Sequence, residues 1–132
     1  MITASVPEMR EALPKGVPLL GLDTGTKTIG IALCDPGWRF ATAWQTIRRT
    51  KFAADKAQIA ALIAQRGVRG MVVGLPLNMD GSESPRSQGA RAMARNLEDL
   101  GLPILLWDER WSTASAESAL IAQDMSRAKR AE

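Results

Sequence analysis

The chain has 132 residues, 45% of them apolar and 23% charged. That is the length and balance of one globular domain that builds its own core without disulfide or metal staples. It contains no histidine and a single cysteine, Cys34, which excludes an internal disulfide, a cysteine-built zinc site and every Ser-His or Cys-His nucleophile system. Seventeen Lys and Arg against fourteen Asp and Glu leave a net charge of +3, a mild bias toward polyanionic partners. Any catalysis must therefore rest on carboxylates, lysines or a bound cation.

Residues 1–17 read as an N-terminal extension. Ser5-Val6-Pro7-Glu8 has the spacing of a capping box, and Pro7 suits a first helical turn, so a short helix through about Leu13 is expected. Pro14, Gly16 and Pro18 then break the pattern. No stretch approaches the roughly 18–20 consecutive apolar residues of a membrane span, and no basic segment precedes an apolar one at the N-terminus. The expectation is a cytoplasmic protein without a membrane segment.

The first strand is predicted at residues 19–23 and the second at 28–34, joined by the polar turn Thr24-Gly25-Thr26-Lys27. Cys34, inside the second strand, reads as a small buried hydrophobe. Asp35-Pro36-Gly37 is a turn, and residues 40–47 complete a three-strand meander. From Ala53 the period lengthens: Ala57, Ala60, Ala61, Ile63 and Ala64 mark an amphipathic helix closing near Gly67. Met71-Val72-Val73-Gly74-Leu75 is a near-continuous apolar run, the signature of a strand buried on both faces.

A loop follows, in which Asp80-Gly81 is a turn signal, and then a helix over 86–100 with Gly101 as its stop. Ile104-Leu105-Leu106-Trp107 is a further buried strand ending at Asp108-Glu109-Arg110, and Ser112 or Thr113 caps a third helix over 114–123. The predicted architecture is α/β: a five-stranded mixed sheet, three strands in a meander and two more parallel to the first, flanked by helices. Right-handed crossovers bring the carboxyl ends of the parallel strands to one edge, where sites form in such sheets. Asp23, the 74–81 loop and Asp108-Glu109 all belong to that edge.

An apolar strand that ends in aspartate places a carboxylate where burial is costly without a partner. Several carboxylates together repel each other unless cations neutralise them. Asp23, Asp108 and Glu109 are therefore candidate catalytic and metal-binding residues for Mg²⁺ or Mn²⁺, hard ions that favour oxygen ligands. Such ions hydrolyse phosphodiesters without any histidine. Lys27 and Arg110, beside the carboxylates, are candidate phosphate ligands, and Trp111 is a candidate base-stacking residue. The basic clusters Arg48-Arg49-Lys51, Arg66/Arg69 and Arg127/Lys129/Arg130 matter for function only if they surround these acids.

Three segments together are specific: Gly21-Leu22-Asp23-Thr24-Gly25-Thr26-Lys27-Thr28-Ile29-Gly30-Ile31-Ala32, Val73-Gly74-Leu75-Pro76-Leu77-Asn78-Met79-Asp80-Gly81-Ser82, and Asp108-Glu109-Arg110 with Ser112-Thr113. In this order and at these separations, over residues 18–130, they resemble the YqgF (RuvX) family of Holliday-junction-resolvase-like nucleases. The resemblance implies a ribonuclease H-like domain over 18–132 and a metal-dependent nuclease active in ribosome biogenesis, processing the 5′ end of precursor 16S rRNA, or in resolving branched DNA. It implies Asp23 as the first acid, Asp108 or Glu109 as the second, and Lys27, Asn78, Arg86 and Arg110 as phosphate contacts. Trp111 stands where the family usually has leucine. Family members continue into a final helix carrying a third acid; this sequence stops at Glu132, before that segment, and the expectation is that it is cut short there rather than that the protein lacks a metal ligand.

Two other readings are weighed beside it. Asp-x-Gly-Thr followed by a hairpin also resembles the phosphate loop of actin-like ATPases, which need two such domains around a nucleotide. The missing third acid suits a non-catalytic nucleic-acid-binding module. The chain is expected as a monomer or homodimer, a two-fold dimer suiting a symmetric junction.

Overall fold

The computed structural model describes residues 1–34 and 41–112. The strands are β1 (Ile2–Thr3), β2 (Leu19–Thr24), β3 (Thr28–Cys34), β4 (Ala41–Arg48), β5 (Gly70–Leu75) and β6 (Ile104–Asp108). The helices are α1 (Val6–Ala12), α2 (Phe52–Arg66) and α3 (Pro85–Leu97), and a 3₁₀ turn, Glu109–Ser112, follows β6 directly. The six strands form one sheet in the order β1-β6-β5-β2-β3-β4. β1, β6, β5 and β2 run parallel, and β3 and β4 continue the sheet antiparallel.

The expected five strands are thus six. Ile2 and Thr3 pair with Ile104 and Leu105, so the N-terminal segment adds a short edge strand to the sheet. Two residues are too few to show any periodicity, and Ile-Thr alone carries no strand signal. The turn at 35–37 and the helix over 114–123 lie outside the described residues. No helix among the described residues is long and apolar enough to cross a membrane.

Alternation along the strands sorts side chains to two faces. On one face Leu20, Leu22, Ile29, Ile31, Met71, Val73, Ile104 and Leu106 pack beneath Ile59 and Leu62 of α2 and Ala90, Met93 and Leu97 of α3. The helix expected from Ala53 is present, but its inner face is not the stripe that marked it: α2 buries Ile59 and Leu62, whereas Ala57, Ala61 and Ala64 are exposed and Ala60 and Ile63 only half-buried. α2 closes on Gly67 at φ 63°, and its N–H bonds the Ile63 carbonyl. α3 opens on a reciprocal cap between Ser84 and Ser87, with Pro85 in the first turn.

On the other face α1 lays Met9 against Leu19, Val72, Leu105 and Trp107. It comes close because Gly70 is bare: a Cβ there would stand 2.8 Å from Met9 Cε and 2.9 Å from Leu13 Cδ1. α1 covers this face at the amino ends of the parallel strands. Toward their carboxyl ends it carries Gly21, Asp23, Gly30 and Gly74, and a cleft of about 340 Å³ opens there.

Candidate active site

Every residue of β2 is buried except Asp23. Its register neighbour on β3 is Gly30. On the other side Leu22 pairs with Val73, so Gly74 is the next residue along β5. Glycines on both flanks leave the carboxylate uncrowded; a Cβ on Gly30 would meet Asp23 Cβ at an ordinary 3.5 Å. Arg86, in the first turn of α3, places Nη2 3.9 Å from Asp23 Oδ1 and 3.4 Å from the Thr24 carbonyl oxygen. That ion pair is long and solvent-exposed, so it orients Asp23 weakly and leaves the carboxylate available to another cation.

The two acids of the Asp108-Glu109 pair point to different partners. Asp108, the last residue of β6, is 9% exposed. It accepts from Arg110 Nε at 3.1 Å, from Arg110 Nη2 at 2.7 Å and from the Arg110 backbone N–H at 2.9 Å. Burial pushes its carboxyl up, but the bonds from Arg110 outweigh burial and hold it below the ordinary carboxylate value; the same pairing raises Arg110. Glu109 opens the 3₁₀ turn and lines the cleft together with Asp23, Gly30, Gly74 and Trp107. Its carboxyl lies over Gly74, where a Cβ would stand 3.0 Å from Glu109 Cδ. Asp23 and Glu109, 86 positions apart in the chain, thus face one cleft, whereas Asp108 faces Arg110.

The expected phosphate contacts divide as well. Lys27 is exposed on the β2–β3 turn and Arg86 stands beside Asp23. Arg110 is held by Asp108 and donates Nη1 to the Met79 carbonyl at 3.2 Å. Asn78 Nδ2 is engaged within its own loop, on Ser82 Oγ and the Glu83 carbonyl. The Trp111 side chain lies outside the described part of the chain. Arg49 is a residue that sequence reasoning placed only within a cluster. Its Nη1 bonds the Gly25 carbonyl at 2.7 Å and its backbone N–H bonds the Lys27 carbonyl at 2.9 Å. The pairing of Thr28 with Arg48 brings it there, and only the hairpin register could have revealed it.

Among the described residues no three His, Cys, Asp or Glu side chains stand close enough to hold a metal together. The pair Asp23 and Glu109 suits Mg²⁺ or Mn²⁺: both donors are hard oxygens, and Mg²⁺ characteristically keeps several waters and takes only one or two carboxylates beside substrate phosphates.

Parallel strands flanked by an antiparallel meander, with carboxylates at their carboxyl ends, define a ribonuclease H-like fold. Among solved structures, the nuclease of the large terminase from thermophilic phage G20c matches 89% of this chain and 57% of its own at TM-score 0.53 and 15% identity. T. thermophilus RuvC bound to a Holliday junction substrate matches 80% of this chain and 75% of its own at TM-score 0.51 and 12% identity. The chain belongs to the RuvX family, described as Holliday junction resolvase, whose pattern matches residues 17–132. A relative in Novosphingobium aromaticivorans is 79% identical over all of this chain and 85% of its own length. Another in Sphingopyxis alaskensis is 64% identical over all of this chain and 87% of its own. Both carry the name pre-16S rRNA nuclease.

Proposed function

We propose that the protein is a divalent-metal-dependent endonuclease that hydrolyses phosphodiester bonds in structured nucleic acid, its substrate the 5′ end of precursor 16S rRNA. The observation that carries this reading is the convergence of Asp23 and Glu109 on one cleft, with Arg86 beside Asp23 and Lys27 exposed on the turn that follows it. Carboxylates alone repel a polyanion; carboxylates beside basic groups suit a phosphate that arrives with a cation.

In this reading Asp23 and Glu109 hold Mg²⁺ or Mn²⁺, which when bound activates water and stabilises the leaving oxygen. Lys27 and Arg86 neutralise and orient the phosphates flanking the scissile bond. Arg49 keeps the Gly25–Lys27 turn in place through its two bonds to that turn's carbonyls. Asp108 supports Arg110 rather than the ion. The RNA substrate is favoured by the names of relatives 79% and 64% identical to this chain.

A direct comparison separates the substrates. Purified protein with Mg²⁺ is offered precursor 16S RNA containing the 5′ leader and, in parallel, a four-way DNA junction. Cleavage of the RNA at its 5′ side, lost in Asp23→Asn, is the expected result. Cleavage of the junction alone would move the assignment to branched DNA, and metal-dependent cleavage by Asp23→Asn equal to wild type would overturn the site.

A further inference from the structure

The loop between β5 and α3 presents Met79 at 88% exposure, far more than any other large apolar residue among those described. On a pliable loop such a residue would need no explanation. This loop is tightly bonded. The Asn78 N–H donates to the Ser82 carbonyl at 2.9 Å, the Gly81 N–H to the Asn78 carbonyl at 2.8 Å, and the Ser82 N–H to Asp80 Oδ1 at 2.9 Å. Gly81 sits at φ +89°, which disfavours a side chain there.

The loop is also gripped from outside, at Met79 itself. Arg110 Nη1 reaches the Met79 carbonyl, and the same guanidinium is fixed by Asp108 through Nε and Nη2. Gly81 lets the guanidinium lie close: a Cβ there would stand 3.2 Å from Nη1. A continuous chain of bonds thus runs from a buried acid at the end of β6 to the backbone of the exposed methionine. Arg110, which grips the loop, is the chain neighbour of Glu109, which lines the cleft.

We propose that Met79 is a substrate contact that stacks its thioether on a nucleobase next to the cleavage point, with Asp108 and Arg110 as positioning residues that hold it there. The proposal rests on the nuclease reading above. The chemistry at the loop tip favours a base over a phosphate. The charge of Arg110 is matched by Asp108, and Asp80 adds a negative charge within the loop. In the nuclease reading phosphates are served instead by Arg86, beside Asp23, and by Lys27 on the exposed turn after it. The neutral, flat surfaces of a polynucleotide are its bases, and a polarizable thioether favours aromatic faces. Apolar side chains, methionine among them, also act as wedges that unstack base steps when inserted from a minor groove.

Binding tests this without requiring cleavage. In the Asp23→Asn background, affinity is measured for precursor 16S 5′-end RNA and for a four-way DNA junction, each with 2-aminopurine stepped through the positions around the cleavage point. The parent should bind one probe with a fluorescence change at one or two positions. Met79→Ala should weaken that binding about ten-fold and abolish the change, and Met79→Leu should restore most of both. Arg110→Ala should weaken binding similarly, and the double variant should bind no more weakly than either single one, because both remove the same contact. Unchanged affinity and fluorescence in Met79→Ala would overturn the proposal, as would additive losses in the double variant or no binding of either probe by the parent. If Arg110→Ala does not fold, the Ala and Leu variants at Met79 decide alone. Wild-type protein that cuts neither probe, beside Met79-dependent binding, would sink the nuclease reading and leave this contact standing.

Discussion

Glu109 rests its carboxyl against the bare backbone of Gly74, so close that a Cβ on the glycine would stand 3.0 Å from Glu109 Cδ. The glycine sits in a buried strand without a positive φ, so its role is to make room. Gly74→Ala should leave the fold intact, since the nearest atoms belong to a movable side chain. The carboxyl must yield by a few tenths of an ångström, and cleavage should fall roughly ten-fold or more, as for other small misplacements of catalytic groups. Activity assays beside thermal melts check this; a lower melting temperature with unchanged activity would mean that the glycine serves stability alone.

Arg49 braces the turn after Asp23 through its bond to the Gly25 carbonyl at 2.7 Å. Arg49→Lys keeps the charge but loses the fixed guanidinium geometry. It should lower kcat/KM by roughly ten-fold, equivalent to about 1.4 kcal/mol and within the range of a hydrogen bond from a charged group. Wild-type kinetics in Arg49→Lys would show that only the charge matters.

Thr24 is 5% exposed, and its Oγ1 has no hydrogen-bond partner among the described residues. A buried hydroxyl without a partner costs stability, and an isosteric apolar replacement relieves that cost. Thr24→Val should raise stability by up to about 1 kcal/mol, read as a higher urea midpoint. A clear loss would reveal a partner for the hydroxyl.

Glu83 tethers the start of α3. Its carboxylate takes Arg91 Nε at 2.9 Å and Nη2 at 3.0 Å, along with Ser87 Oγ at 3.0 Å. The Arg91 bonds, ahead of the Ser87 bond, hold its pKa below the ordinary 4.5. A depressed carboxylate stabilises the fold above its ordinary value and loses that contribution as pH falls through the depressed one. The tether should therefore be indifferent to pH from 8 down to about 5 and weaken only in acid. Arg91→Gln should move the Glu83 carboxyl titration, followed by NMR, upward toward 4.5. An unmoved titration would rule out Arg91 as the cause.

Much of the frame was legible because its signals are local. Leu19-Leu20-Gly21-Leu22-Asp23 gives a buried strand with one polar exception, and that exception is the exposed acid of β2. The strands of the meander and the two apolar runs fell within a residue or two of their predicted places, because turn residues and period changes mark their ends. The edge strand at Ile2–Thr3 was hidden, since its pairing with Ile104 is a tertiary fact. The directions in which Asp108 and Glu109 point were equally hidden. Adjacent residues differ in direction, and the direction depends on where β6 gives way to the 3₁₀ turn. Nothing in Asp-Glu-Arg shows that the arginine folds back onto the first acid.

Cleavage by three single variants under saturating Mg²⁺ and substrate tests the central claim most directly. The account predicts that Asp23→Asn and Glu109→Gln fall to background while Asp108→Asn still turns over. Full turnover in Glu109→Gln, with Asp108→Asn as dead as Asp23→Asn, would contradict it and return the second metal-binding acid to Asp108.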